Sequence, residues 1–154
     1  MLTQDNLAKA EALFARYPQK KAALLPILWL AQDQEGWISE DMMKFVADLV
    51  GTDYAHVLGV VTFYTMFNDR KLGRYHIEVC TNISCMLKGS DRIVETVERV
   101  CGAKIGHTSE DGMFTVSEVE CMGACGGAPM LAIGEEYHEH LTPDQTETLL
   151  TSLK

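Results

Sequence analysis

A mixed fold of two unlike halves is predicted: a small helical bundle over residues 1–71, then an α+β or α/β unit over residues 72–154. Three observations predict it. In the first half apolar residues recur at three- and four-residue spacing, the mark of helices with one buried face. From Tyr75 onward they alternate, Tyr75, Ile77 and Val79 against His76 and Glu78, as in a strand with one covered face. Strand-like and helix-like segments then follow in the order β, α, β, β, β, α, which suits an open sheet with helices packed on it.

The first helix starts at a Thr3 or Asp5 cap, places Leu7, Leu13, Phe14 and Tyr17 near one face, and stops at Pro18. A second covers residues 20–34 with Leu24, Ile27, Leu28 and Ala31 at i, i+3, i+4 and i+7. Pro26 is tolerated there only in the first turn, so the regular helix is expected to begin near Leu25. Ser39 caps a third helix whose first turn is acidic, Glu40 and Asp41, as the helix dipole favours, and Gly51 ends it. A short fourth helix, from Tyr54 to about Leu58, leads into VVTFYTMF, which is expected to be core.

In the second half a strand over residues 75–79 ends at Cys80, and a helix over residues 91–100 turns Ile93, Val94 and Val97 inward. A glycine-rich passage, residues 102–112, precedes a strand over 113–119 that stops just before Cys121. Further strands are expected at 130–133 and 136–140. Thr142 then caps a closing helix with Pro143 at its first position.

Composition narrows the function. At 154 residues, 47% hydrophobic and 23% charged, the chain buries a core without needing disulfides. Its longest apolar stretch, residues 57–67, is shorter than the ~20 residues a bilayer span needs. No basic region followed by an apolar core opens the chain, so a cytoplasmic setting is expected, where reduced thiols favour metal binding or redox chemistry. The net charge of −9 argues against nucleic acid. Residues 1–71 carry 7 Lys and Arg against 9 Asp and Glu, net −2; residues 72–154 carry 6 against 13, net −7.

Four of the five cysteines form two tight pairs, Cys80 and Cys85 in CTNISC and Cys121 and Cys125 in CMGAC, the latter continuing as Gly-Gly-Ala-Pro. Thiolates are soft anionic ligands, and four of them suit either Zn²⁺ or iron–sulfur iron. The spacing leaves both open. The lining favours a [2Fe–2S] cluster: Ile83, Met86, Leu87, Met122, Ala124 and Ala128 are small or apolar. Gly123, Gly126 and Gly127 let backbone N–H groups approach sulfur.

Longer runs carry a resemblance. EGWIS at 35–39, GVVTFYTMF at 59–67, VCTNISCMLKG at 79–89 and GHTSEDGMFTVSEVECMGACGGAPM at 106–130 resemble the thioredoxin-like [2Fe–2S] ferredoxin family. Its members are the iron–sulfur subunits of NADH dehydrogenase modules, such as that of the NADH-quinone oxidoreductase known as respiratory complex I. The resemblance covers essentially the whole chain, with Met122 where the family usually has Leu. It implies that Cys80, Cys85, Cys121 and Cys125 hold one [2Fe–2S] cluster and that the second half is thioredoxin-like. It implies a flavoprotein partner that binds FMN and NADH, a place among further subunits on the cytoplasmic face of the membrane without insertion into it, and single-electron exchange with that flavin. The chain has no G-x-G-x-x-G fingerprint of its own, in keeping with an NADH site on the partner. The same subunit type serves NAD-linked hydrogenases and formate dehydrogenases, so those acceptors stay open, as does a zinc-stabilised interaction module. A thiol oxidoreductase is disfavoured, because neither pair is C-x-x-C.

The remaining chemistry-bearing residues read as structural. Cys101 is expected to be a buried small hydrophobe. His56, His76, His107, His138 and His140 are scattered, with His138 and His140 on one strand face. Trp29 and Trp37 are expected to pack between the bundle and its neighbour, and Pro129, just before a strand, stands where a tight turn can take a cis peptide at Ala128–Pro129.

Overall fold

Capping and periodicity set the first unit. The computed structural model describes every residue, Met1–Lys154, and the chain divides into two compact units, Met1–Lys71 and Leu72–Lys154. In the first, α1 (Gln4–Phe14) starts at Thr3, whose hydroxyl accepts from Asn6 N–H. A 3₁₀ turn, Lys20–Ala23, leads into α2 (Leu24–Glu35). Pro26 is third in α2, where no intrahelical partner exists for an N–H, so its cost is avoided. Gly36 closes α2 at φ 79°. α3 (Glu40–Val50) is capped by Ser39 and closed by Gly51, and α4 (Tyr54–Phe63) is capped by Asp53. Ile27, Leu28, Ala31, Ile38, Val46 and Val57, all fully buried, form the core.

Two expectations fail here. α4 does not stop near Leu58 but runs on to Phe63, taking up part of the β-branched run that reads as core. Of VVTFYTMF only Val61 and Phe67 are buried; Phe63 is 76% exposed and Met66 40%. The reason is a polar clamp. The carboxamide of Gln32, 8% exposed, donates to Met66 C=O (2.8 Å) and accepts from Asn68 N–H (2.7 Å), while Ile38 N–H donates to Asn68 C=O (2.7 Å). These bonds pin the chain after α4 with Phe67 inward and Phe63 outward. Trp29 sits in mid-α2, 40% exposed, tilted against Phe67 at 5.6 Å.

The second unit is a four-stranded sheet of order β2-β1-β3-β4, built from β1 (Tyr75–Cys80), β2 (Phe114–Val119), β3 (Leu131–Ile133) and β4 (Glu136–His138). β1 and β2 run parallel, which requires a crossover; it is supplied by α5 (Ile83–Leu87) and α6 (Ser90–Cys101). β3 and β4 are antiparallel to their neighbours. α7 (Pro143–Thr151) closes the chain with a capping box between Thr142 and Gln145. Ile77, Val79, Phe114, Val116 and Leu131 pack with Ile93 and Val97 of α6 and Leu150 of α7. Cys101 lies in that core, 4% exposed.

The short helix α5 lies between the expected strand and helix of this half, in a segment to which the sequence assigns no element. β4 ends at His138 and not at His140, which has left-handed backbone at φ 53°, so the two histidines share no strand face. His138 Nε2 is shielded from solvent without a partner. Ala128–Pro129 is cis.

Candidate metal centre

The parallel pairing of β1 with β2 positions the cysteines. Cys80 is the last residue of β1 and registers with Val119, the last of β2, so CTNISC and CMGAC leave the sheet side by side from the same end. Thr81 N–H donates to Val119 C=O at 3.2 Å, and Cys80 N–H to Met130 C=O at 3.3 Å. Two side-chain bonds strap the segments further: Thr81 Oγ1 donates to Glu118 Oε1, and Asn82 Nδ2 to Glu120 Oε2, each at 2.6 Å. Asn82 also caps α5 through Ile83 N–H (2.8 Å), which turns Cys85 back toward Cys80.

Cys80 and Cys85 are buried with Ala128 and Met130, and Met122 and Ala124 pack against them. Burial, followed by contact with Cys80, pushes the Cys85 thiol up to about 11. Cys121 and Cys125 are exposed, and their sulfurs lie 3.3 Å apart. Gly123, at φ 82°, aims its N–H at Cys121 Sγ (3.4 Å), a conformation that favours glycine. That N–H, with the bond from Cys125, holds the Cys121 thiol below its ordinary value. Cys125 is raised as the donor to Cys121, partly offset by a hydrogen bond with Ser84. Cys125 is felt at Cys85, and Cys80 is felt at Cys125, so both pairs belong to one locality.

All five cysteines are free thiols. No three Cys, His, Asp or Glu side chains close into a ready metal-binding group; the sulfurs stand as two pairs. Two thiolates on one tetrahedral metal at ~2.3 Å from sulfur sit about 3.8 Å apart. The Cys121–Cys125 pair needs only a small spreading to reach that. The donor set, the apolar cover and the sulfur-directed N–H therefore fit an iron–sulfur group.

Sequence reasoning missed Ser84, the Thr81–Glu118 and Asn82–Glu120 straps, and Tyr137, whose hydroxyl donates to Met122 C=O at 3.2 Å. Only Asn82, a good cap residue before an apolar run, left a local trace.

The sequence profile of the thioredoxin-like [2Fe–2S] ferredoxin family matches residues 10–154. The chain belongs to that family. Its relatives include the E subunit of the NADH-quinone oxidoreductase of Rickettsia conorii, 43% identical over 154 residues, which span 98% of this chain and 92% of the relative. NADH dehydrogenase [ubiquinone] flavoprotein 2, mitochondrial, of Dictyostelium discoideum is 44% identical over 155 residues, covering 99% of this chain and 63% of its own length. Among solved structures, an NAD⁺-reducing [NiFe]-hydrogenase in the H₂-reduced state aligns with TM-score 0.73 at 15% identity, over 85% of this chain and 22% of that one. That likeness bears on the fold alone.

Proposed function

We propose that this chain is the electron-transfer subunit of an NADH:quinone oxidoreductase. In this reading Cys80, Cys85, Cys121 and Cys125 hold one [2Fe–2S] cluster that exchanges single electrons with FMN on an NADH-binding flavoprotein partner. The observation that carries it is the delivery of two dithiol pairs from the parallel ends of β1 and β2 in a chain of this family. Pairs suit two irons with two cysteines each, whereas a single zinc ion needs all four sulfurs drawn around one point.

When bound, such a cluster takes up and releases one electron at a time. The residues of this chain supply its surroundings. Met122, Ala124, Ala128 and Met130 keep water from the Cys80–Cys85 side, Gly123 N–H lowers the negative charge felt at Cys121, and the two straps fix the spacing of the loops. The net −7 of residues 72–154 opposes adding an electron, which favours a low potential. No helix is long and apolar enough to cross a membrane, in keeping with peripheral attachment on the cytoplasmic side through other subunits. The match to 92% of the Rickettsia conorii quinone-reductase subunit supports quinone as the final acceptor. We also take Met1–Lys71 and Leu72–Lys154 as separate domains.

Metal and sulfide analysis of the purified chain tests this. The expected outcome is two irons and two acid-labile sulfides with visible absorption, lost or remodelled in Cys125→Ala but kept in Cys101→Ala. A colourless zinc protein, or an intact spectrum in Cys125→Ala, overturns it.

A further inference from the structure

Cations are scarce in Leu72–Lys154, and most are committed. Arg99 pairs with Glu147 at 2.6 Å and Lys104 with Glu98 at 2.7 Å. Lys154 Nζ donates to Val100 C=O at 2.9 Å, and the Arg74 guanidinium lies over the Tyr75 ring at 5.3 Å. Lys88 and Arg92 make no such contact, and both are exposed. They line the same cleft, ≈ 490 Å³, between the α5–α6 corner and the start of α7. Met86 and Leu87 line it too, 57% and 77% exposed, and Asp91 is its one carboxylate.

Two free cations beside two uncovered apolar side chains are an unusual local balance in a unit of net −7. Exposed Met and Leu gain by being covered. Free cations in an acidic field select an anionic partner group and orient its approach. Two cations are too few to track a phosphate polymer, whose binding draws on many charges. The corner is also continuous with the cysteine loops, because Met86 and Leu87 directly follow Cys85 in α5.

We propose that this corner is a docking point for a carboxylate-bearing, apolar-flanked segment of the flavoprotein subunit. Its carboxylates meet Lys88 and Arg92 while its apolar side chains cover Met86 and Leu87. This rests on the reading of the chain as a flavoprotein partner. Docking here brings the partner beside the helix that carries Cys85, one of the four proposed cluster ligands.

The test measures association of the full chain with the flavoprotein subunit at low and high salt. Lys88→Glu/Arg92→Glu is expected to slow association roughly tenfold or more at low salt, with the gap narrowing near ~1 M salt, where the Debye length falls to ~3 Å. The milder Lys88→Gln/Arg92→Gln pair is expected to show a smaller loss with the same salt trend, and Leu87→Ser a loss that salt does not change. An unchanged visible spectrum verifies that each variant is folded. Wild-type binding with charge variants within twofold of it at both salts overturns the docking point alone, as does a charge-variant loss that salt leaves unaltered. A wild-type chain that fails to bind the flavoprotein overturns the functional reading, and this inference with it.

Discussion

A thiol sealed among aliphatic side chains resists ionisation, and Cys101 shows the consequence. It is 4% exposed, and burial pushes it from 9.0 up to about 11. The neutral thiol is therefore the folded form, while the unfolded chain ionises near its ordinary value. Stability from this residue is fully present below about 9 and is lost as pH rises through about 11, because over that window the unfolded state binds fewer protons. The full effect is at most about 2–3 kcal/mol. Cys101→Ala is expected to cost about 1–2 kcal/mol at neutral pH through the cavity it leaves, and to flatten the alkaline fall relative to the parent. Trp29 and Trp37 both lie in the first unit, so, where the two units unfold independently, urea unfolding followed by fluorescence and by far-UV circular dichroism separates their transitions. Parallel pH profiles for parent and variant in the second transition would show that Cys101 does not carry this dependence.

Hydrogen bonds between elements decide the shape of the cysteine site more than any single ligand does. Asn82 acts twice, as cap of α5 through its carbonyl oxygen and as donor to Glu120 through its amide nitrogen. Asn82→Ala removes both, a loss of about 1–2 kcal/mol directed at the segment between Cys80 and Cys85. In cluster-loaded protein, iron transfer to a chelator is expected to speed up roughly 5- to 30-fold. Ser39→Ala, which removes the α3 cap bond to Met42 N–H (3.2 Å), is expected to weaken the bundle by about 1 kcal/mol and leave that rate unchanged. Equal rates in Asn82→Ala and the parent would place the control of the loops elsewhere. The contrast also marks what is legible in the chain. Ser39, Gly51, Thr142 and Pro143 act within a few residues of themselves, so the ends of α3 and the start of α7 can be read directly. α5 is five residues long, too short for periodicity to register. The four cysteines are visible as spacing, but the straps join residues 37 and 38 positions apart, which no local pattern encodes. α4 outran its expected end for a similar reason. The orientation of Phe63 depends on Gln32, whose partners lie 34 and 36 positions away.

At the scale of the whole chain, the anchors on either side of the junction mark where it divides. Asn68 is held by Gln32 and Ile38, so the first unit keeps its grip up to that residue. Gly73 N–H donates to Thr115 Oγ1 at 2.7 Å and Arg74 N–H to Gly112 C=O at 3.0 Å, which ties the next residues to β2. Gly73 is also too close to the sheet for any side chain: a Cβ there would lie 2.9 Å from the Phe114 carbonyl carbon. Between these anchors, Asp69, Arg70 and Lys71 are exposed, and Arg70 and Lys71 are sites for trypsin. Most other Lys and Arg lie in or beside helices, where the backbone is held and cleavage is slow without local opening. Limited trypsin digestion is therefore expected to cut first after Arg70 or Lys71. The fragments differ in charge, near −2 and −7, and separate by anion exchange. Both tryptophans travel with the first and all five cysteines with the second. If the units are independent domains, the first retains its helical circular dichroism and the second its visible absorption. A first cut inside α6, or a second fragment that bleaches on separation, would show that the cysteine-bearing unit does not stand alone.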